Sequence, residues 1–387
     1  MTQTLRKIPV ARPVLGEREV EAVRRVILSG WVTQGPEVEA FEREFAETVG
    51  ARHACAVSNC TTALHLALRA VGVGPRDEVI TVSHSFIATA NAVRYCGAVP
   101  VFVDIESGGY NMDPDLIEAA ITPRTKAILC VHQAGMPCDL RRILEIAWRR
   151  AIPVIEDAAC AIGSEILWKG HWEKIGRPHG RIACFSFHPR KVMTTGDGGM
   201  LTTSVAEYDR KFRLWRQHAM SVTDAVRHGS SEVIYESYPE LGYNYRMTDL
   251  QAAVGRTQLQ RLPEIVAHRR QIAALYAERL RQIPDIGVPV EPASARSNWQ
   301  SYVIELPRRV EQRAVMQALL DRAISTRRGI MNIHLENAYA DRDSYRAGSG
   351  LKRSVAAQRR TIILPLYAQM TEDDVALVTD TLRDVLH

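Results

Sequence analysis

The chain lacks the cysteine spacing of a disulfide-stapled or zinc-binding protein. Its seven cysteines are odd in number, and no two of them form a C-x-x-C pair. Such a set is typical of free thiols in a reducing compartment. We therefore predict neither a disulfide framework nor a metal site.

Long apolar runs and long basic blocks are also missing. No stretch of about 18 apolar residues occurs, and charged residues and prolines interrupt the first 15 positions, which excludes a signal peptide. A net charge of +5 over 387 residues, with Lys and Arg clustered only in pairs, is too dilute for nucleic-acid binding. We expect a cytoplasmic protein that does not span a membrane and does not bind nucleic acid.

From about residue 50 onward, short apolar runs alternate with amphipathic stretches of helical period. The predicted strands are His53–Ser58, Glu78–Ser83, Val99–Asp104, Lys126–Val131, Ile152–Asp157 and Ile182–Phe187, and the helices between them are Thr61–Val71, Ala88–Tyr95 and Asp139–Arg150. Repeated βα units with fully apolar strands predict an α/β fold, in which a mostly parallel sheet has helices on both faces. In such three-layer folds, ligands bind at the carboxyl ends of the strands.

The pattern changes towards the C-terminus. Two long helical patterns, Thr248–Leu262 and Glu264–Gln282, flank Pro263, which predicts a break or kink and a hinge between two units. We expect a large domain over residues 1–262 and a smaller α+β domain over residues 263–387. In that second domain the predicted strands are Ser301–Leu306 and Ile362–Pro365, and the predicted helices are Val310–Ala323 and Glu372–Leu386.

One lysine has an unusual sequence environment. Lys191 lies between the apolar run Ala183–Phe187 and the glycine-rich turn Thr194–Gly199. An amine in a partly apolar pocket loses solvation, which lowers its pKa and makes it available as a nucleophile or base. Lys191 is therefore a candidate for a Schiff-base lysine, and a solvated loop lysine is the alternative.

Two further features suit a phosphorylated cofactor. Thr61 and Thr62 lie where a strand meets a helix N-terminus, which is a natural phosphate site or an ordinary helix cap. Asp157 ends an apolar strand, where a carboxylate can pair with a protonated ring nitrogen or can cap the next helix. Ser186 supplies another hydroxyl five positions before Lys191.

Taken together, the order of these motifs resembles the DegT/DnrJ/EryC1/StrS family of sugar aminotransferases, which are pyridoxal-phosphate (PLP) enzymes of the aspartate-aminotransferase fold, fold type I. The segments that carry the resemblance cover nearly the whole chain. They are Gly30–Pro36, Phe41–Ala46, Phe86–Ala92, Pro100–Asp104, Glu156–Ala159, Phe185–Lys191, Thr194–Gly199, Leu241–Ala253 and Gly329–Glu336.

The resemblance implies a role for each matching position. It makes Lys191 the lysine that binds the cofactor aldehyde and Asp157 the partner of the pyridine nitrogen. The remaining implied contacts are Phe86 stacked on the ring, Thr61, Thr62 and Ser186 at the phosphate, and Asn244 reaching the phosphate from the other subunit of a homodimer. Without the family, Phe86 is also explained as core, Asn244 as a turn residue and Ser186 as a strand hydroxyl.

The chain departs from the family at several positions near the implied site. The resemblance places Cys160 beside the phenolic oxygen of the cofactor, where the family commonly has Gln, Glu or His. Cys60 replaces a usual Gly, Asp197 a usual Glu and Ala134 a frequent Tyr. The segment 167–180 is longer than usual, and it either shapes the substrate entrance or forms a surface loop.

The resemblance also implies the reaction. An amino acid, usually glutamate, would convert PLP to pyridoxamine phosphate (PMP), which would then aminate a keto group of a nucleotide-linked keto-deoxysugar. An aminotransferase acting on a keto-cyclitol is an alternative, and a PLP-binding regulator without turnover is another. Dehydration at C3 of a keto-sugar is disfavoured, because the relatives that catalyse it carry His at the position of Lys191.

Overall fold

The computed structural model describes residues 6–222, 227 and 230–386. Its helices are α1 Glu17–Ser29, α2 Pro36–Val49, α3 Cys60–Ala70, α4 Ala88–Tyr95, α5 Ile117–Ala120, α6 Leu140–Arg149, α7 Ala206–Trp215, α8 Asp249–Leu280, α9 Gln312–Asp321, α10 Lys352–Arg360 and α11 Glu372–Leu386. Its strands are β1 His53–Val57, β2 Glu78–Val82, β3 Val99–Val103, β4 Thr125–Val131, β5 Val154–Asp157, β6 Glu165–Trp168, β7 His171–Lys174, β8 Ile182–Ser186, β9 Gly199–Thr203, β10 Ala295–Arg296, β11 Tyr302–Glu305, β12 Arg327–Arg328, β13 Arg346–Ala347 and β14 Thr361–Leu364.

Eight strands form the main sheet, in the spatial order β1-β9-β8-β5-β4-β2-β3-β13. All neighbouring pairs from β8 to β13 run parallel, and β9 runs antiparallel to both of its neighbours. The predicted mostly parallel α/β sheet is therefore confirmed. Because β4, β5 and β8 lie side by side and parallel, their carboxyl ends meet at one edge of the sheet.

Two apolar cores cover the two faces of this sheet. Side chains alternate along each strand, so that Ala56 and Ile80 pack into one core while Val57 and Val79 pack into the other. The first core also takes residues from α2, α6 and α8, and the second takes residues from α3, α4 and α7. This arrangement is the three-layer αβα architecture that the sequence predicts.

A smaller three-stranded sheet, β11-β14-β12, lies near the C-terminus and has its own core with residues of α8, α9 and α11. The predicted helix Glu372–Leu386 is confirmed within it. Ile8 also packs into this core, and its N–H donates to the carbonyl of Ala323 (2.9 Å). The first described residues are thus attached to the small sheet, although the predicted division assigns them to the large domain.

Of the break or kink predicted at Pro263, the break is wrong and the kink stays a prediction. Helix α8 runs without interruption over 32 residues and contains Pro263 in its interior. An interior proline removes one backbone hydrogen bond, a local cost that burial of neighbouring apolar residues can offset. The helix is buried on both sides of the proline, by Leu259 and Leu262 before it and by Ile265 and Val266 after it.

The segment 167–180 includes the turn and the second strand of a β-hairpin whose first strand begins at Glu165. Strands β6 and β7 pair antiparallel, and β10 from the C-terminal part of the chain joins them as a third strand. The Arg296 guanidinium lies 3.8 Å from the centre of the Trp172 ring, a cation–π contact that fastens β10 to the hairpin. Within the described ranges, no helix is long and apolar enough to cross a membrane.

Candidate active site

Asp157 is the last residue of β5, in the middle of the main sheet. Its Cα pairs with Val131 of β4 and Cys184 of β8, so the carboxylate lies where three parallel strands end. Its Oδ2 accepts a hydrogen bond from Thr89 Oγ1 (2.8 Å), and its Oδ1 accepts one from the N–H of Ala159 (3.2 Å). Burial raises the pKa of Asp157, although both hydrogen bonds oppose that shift.

The neighbouring carboxylate of Glu156 lies on the opposite face of the sheet. Its Oε2 is 3.3 Å from His132 Nε2, and its Oε1 accepts a hydrogen bond from the N–H of Gly180 (2.8 Å). Burial acts to raise the pKa of Glu156, but His132, His179 and the Gly180 N–H outweigh it, and the pKa is lowered. Glu156 is thus held as a carboxylate by its surroundings.

Lys191 follows β8 and is partly buried. Its N–H donates to the carbonyl of His188 (2.8 Å), which fixes the turn, and its Nζ lies 3.0 Å from Cys160 Sγ. Burial acts to lower the pKa of Lys191, but its interactions with Cys160, Cys60 and Asp157 outweigh burial, and the pKa is raised. The predicted lowering of this pKa is therefore wrong for the amine in this structure.

The N-terminus of α3 forms the candidate phosphate site. Asn59, not a hydroxyl residue, caps the helix: its Oδ1 accepts from the N–H of Thr62 (3.0 Å), and Thr62 Oγ1 donates to the Asn59 carbonyl (2.7 Å). Among the described residues, no hydrogen bond involves the Thr61 hydroxyl, so it is free for a ligand. Gly199 brings β9 against this turn, since a Cβ there would lie 2.5 Å from the Asn59 backbone.

The other predicted contacts occupy different surroundings. Ser186 ends β8, where its Oγ accepts a long hydrogen bond from the N–H of His188 (3.5 Å). Phe86 is 62% exposed, so it is not a core residue, and it lies one helical turn before Thr89, which holds Asp157. Asn244 is exposed and forms a backbone bridge with Gln217.

The fold brings Lys191, Asp157 and Cys160 together, and it adds two residues that the sequence did not single out. Thr89 contacts Asp157 and could have been found, because it lies three positions after Phe86 in the same motif. Asn298 is fully buried, and its Nδ2 donates to the carbonyls of Cys160 (2.8 Å) and Ile162 (2.7 Å). No local signal marks Asn298, since 138 positions separate it from Cys160.

Comparison with known proteins identifies the family of this chain. Residues 13–383 match the model of the DegT/DnrJ/EryC1/StrS aminotransferase family. The chain belongs to this family. It is therefore an aminotransferase, and the prediction of a PLP-dependent transferase is confirmed.

Individual relatives agree with this family membership. The spore coat polysaccharide biosynthesis protein SpsC of Bacillus subtilis (strain 168) is 38% identical over 383 residues, which span 98% of this chain and 97% of SpsC. The structure of the aminotransferase TlmJ from Streptoalloteichus hindustanus is 33% identical, with a TM-score of 0.89 over 98% of this chain and 99% of TlmJ. Spr1654 from Streptococcus pneumoniae, in its PMP form, is 26% identical with a TM-score of 0.89, over 98% of this chain and 99% of Spr1654.

The residues of the candidate site fit PLP. The related Spr1654 has been solved in a PLP form. A phosphate needs donors, and the first turn of α3 offers backbone N–H groups and the unbonded Thr61 hydroxyl. A protonated ring nitrogen needs an anion, and Asp157 is a buried carboxylate. An aldehyde needs an amine, and Lys191 Nζ lies within electrostatic range of Asp157.

Proposed function

We propose that this aminotransferase moves an amino group from glutamate to a keto group of a nucleotide-linked keto-deoxysugar, in amino-sugar biosynthesis. The observation that carries the proposal is the placement of the buried Asp157 carboxylate at the end of β5 and of Lys191 after the end of the neighbouring parallel strand β8. The relationship to SpsC, a protein named for polysaccharide biosynthesis, supports a sugar as the acceptor.

We assign the cofactor-holding roles to the residues at the strand ends. Lys191 would bind the aldehyde carbon of PLP, Asp157 the ring nitrogen, and Thr61, Thr62 and Ser186 the phosphate. The exposed ring of Phe86 would cover the cofactor ring, and the thiol of Cys160 would lie beside its phenolic oxygen. When bound, PLP supplies an electron sink that stabilises negative charge on the α-carbon of the amino acid.

Two residues carry the proton chemistry. Once Lys191 Nζ is displaced by the substrate amine, it is the base that takes the proton from the substrate α-carbon and the acid that returns a proton. Asp157 keeps the ring nitrogen protonated, because the hydrogen bonds from Thr89 and Ala159 favour its ionised form. Thr89 is thus a positioning residue that acts through Asp157.

The assembly and the division of the chain belong to the same proposal. Asn244, which is exposed in this chain, would reach the phosphate of a second copy, so that a homodimer shares its two sites. Residues 1–262 would form the cofactor-binding domain and residues 263–387 the smaller one, with α8 common to both. Seven free thiols support a cytoplasmic location.

A two-stage experiment tests the proposed function. Glutamate is first added to the PLP-loaded protein, and we expect the visible absorbance of the lysine-bound cofactor to give way to that of PMP. The PMP protein is then offered nucleotide-linked 3-keto and 4-keto sugars and a keto-cyclitol, and mass spectrometry identifies the aminated product. Amination of the keto-cyclitol alone would overturn the sugar assignment.

The Lys191→Ala variant is the control for the first stage. It should lose both the absorbance of the lysine-bound cofactor and all turnover, because no other group in the proposed site can bind the aldehyde and move the proton. Full turnover by this variant would contradict the proposed role of Lys191.

A further inference from the structure

Cys160 differs from the other six cysteines of the chain. It is partly exposed, whereas the other six are buried. Its Sγ lies 3.0 Å from Lys191 Nζ, the group on which cofactor loading depends. All seven cysteines lie in the described part of the chain, and the one that is not buried is therefore also the one in contact with the Lys191 amine.

The backbone on both sides of this contact is fixed. Asn298 donates to the Cys160 carbonyl (2.8 Å), and Gln300 Nε2 donates to the carbonyl of Arg190, next to Lys191 (3.0 Å). The Lys191 N–H is bonded to the His188 carbonyl (2.8 Å). A short segment, residues 298–300, thus fixes the backbone on both sides of the contact between the two side chains, which favours a reaction within the chain.

We propose that Cys160 and Lys191 form a reversible sulfur–nitrogen cross-link when the PLP-free protein meets hydrogen peroxide, and that this cross-link blocks loading of the cofactor. The cross-link itself requires only the contact between the two side chains. Its effect on PLP loading rests on the proposed function, since it assumes that Lys191 binds the aldehyde.

The chemistry balances in two steps. The Cys160 sulfur attacks one oxygen of the peroxide, the O–O bond breaks, and the products are a sulfenic acid and one water; sulfur loses two electrons and peroxide gains them. The neutral Lys191 amine then attacks that sulfur, the S–O bond breaks, and the hydroxide that leaves takes a proton from nitrogen to form a second water. The protein loses two hydrogen atoms in total.

The reverse reaction needs a dithiol. One thiol of the dithiol attacks the sulfur of Cys160, and the S–N bond breaks to release the Lys191 amine with a proton. The second thiol of the reagent then closes its own disulfide and frees the Cys160 thiol. Because the forward step uses the neutral amine, and Lys191 is largely protonated near neutral pH, we expect cross-linking to accelerate as pH rises.

The test has to distinguish the sulfur–nitrogen cross-link from a disulfide between Cys60 and Cys160. Cys60, the first residue of α3, interacts electrostatically with both Cys160 and Lys191. A disulfide between Cys60 and Cys160 would also remove two hydrogen atoms, so intact mass alone does not separate the two products. Burial raises the pKa of the Cys60 thiol well above its ordinary value, which disfavours the attack by Cys60 that a disulfide needs.

The experiment uses the full chain, freed of PLP with hydroxylamine and treated with hydrogen peroxide. We expect a mass lower by two hydrogen atoms and a proteolytic fragment that joins the peptides of Cys160 and Lys191. We also expect no uptake of PLP until dithiothreitol restores the original mass. Three variants are treated in parallel: Cys60→Ser should cross-link like the parent, Cys160→Ser should keep its mass, and Lys191→Ala should gain oxygen on Cys160 without a cross-link.

Three results would overturn the proposal. They are a fragment that joins Cys60 to Cys160, oxygen added to Cys160 in the parent protein without a cross-link, and normal PLP uptake by the cross-linked protein. None of them depends on transamination. Failure of the proposed function is detected separately, as the absence of a glutamate-driven change in the reduced, PLP-loaded protein.

Discussion

Glu156 and Asp157 are consecutive carboxylates at the end of the same strand, and the two faces of the sheet treat them in opposite ways. Both are almost completely buried. On one face, Glu156 meets His132 and the Gly180 N–H, and its pKa is lowered. On the other face, burial raises the pKa of Asp157, although the donors of Thr89 and Ala159 and the charge of Lys191 oppose that shift.

The difference shows that burial alone does not give a carboxylate its role. Glu156 is hydrogen-bonded to His132 and to the Gly180 N–H, and these contacts already favour its ionised form before any ligand arrives. Asp157 keeps a charge that the hydrogen bonds of the fold only partly stabilise, and a cationic ligand would complete its surroundings. A buried carboxylate with a raised pKa at a strand end is therefore the one to associate with chemistry.

Neutralising Asp157 should have the largest effect, and it tests the different roles of the two carboxylates. We expect Asp157→Asn to lower kcat about 100- to 1,000-fold, because an amide cannot keep the ring nitrogen protonated. The free energy of unfolding without PLP should stay the same or rise at neutral pH, because a poorly stabilised buried charge is removed. Steady-state kinetics and urea unfolding measure the two effects, and a large loss of stability with activity intact would reverse the assigned roles.

The matched change on the other face is Glu156→Ala. It leaves His132 and the Gly180 N–H without their partner, and we expect the free energy of unfolding to fall by about 3 kcal/mol. Glu156→Gln, which keeps a hydrogen-bonding group of the same size, should cost less. Urea unfolding of both variants tests this prediction, and equal stability of all three proteins would show that Glu156 is not structural.

A smaller effect is expected at Thr89. Thr89→Val removes the 2.8 Å hydrogen bond to Asp157 without changing the size of the side chain. Hydrogen bonds to charged groups contribute about 1.5 kcal/mol or more, so PLP should bind about tenfold more weakly. A PLP titration followed by absorbance gives the affinity, and Thr61→Val, a change at the half-buried threonine of the phosphate site, is measured for comparison. Unchanged PLP affinity in Thr89→Val would remove its positioning role.

The smallest effects should appear in the dependence of stability on pH, and they should have opposite signs. Because the folded-state pKa of Glu156 lies below its ordinary 4.5, its stabilisation is present above that value and is lost as pH falls through the folded pKa. Because the folded-state pKa of Asp157 lies above its ordinary 3.8, its ionisation destabilises the fold as pH rises from that value through the folded pKa.

Urea unfolding from pH 7 down to about pH 3 covers the range in which both contributions change. The advantage of Asp157→Asn over the parent protein should shrink as pH falls, and so should the disadvantage of Glu156→Gln at the lowest pH values. Parallel pH profiles for both variants and the parent would contradict the opposite pKa shifts.

Much of the fold could be predicted because its signals are local. Apolar strands and amphipathic helices alternate in the sequence, and the predicted helix Ala88–Tyr95 matches α4 residue for residue. The sequence does not predict strand β9, because its first residue, Gly199, is also the last residue of the glycine-rich turn Thr194–Gly199. Helices α1 and α2 precede the first βα unit and were not predicted either.

The candidate site also has features that the sequence predicts and features that only the fold determines. Lys191 and Asp157 could be identified from their positions at the ends of apolar runs, and the structure brings their charges within range of each other. The direction of the Lys191 pKa shift could not be predicted, because it depends on Cys160 and Cys60, which only the folded chain places beside the amine. The support of Cys160 by Asn298 likewise depends on contact between distant parts of the chain.

Helix α8 also determines how the small sheet is oriented relative to the main sheet. At its first residue, the Asp249 carboxylate accepts hydrogen bonds from the N–H groups of Gly35 and Val38 at the start of α2. About 48 Å further along, its last residue, Leu280, packs into the core of the small sheet. One residue inserted into this helix would turn the small sheet by about 100° relative to the main sheet. We therefore expect α8 to tolerate substitutions far better than insertions or deletions, which change its length.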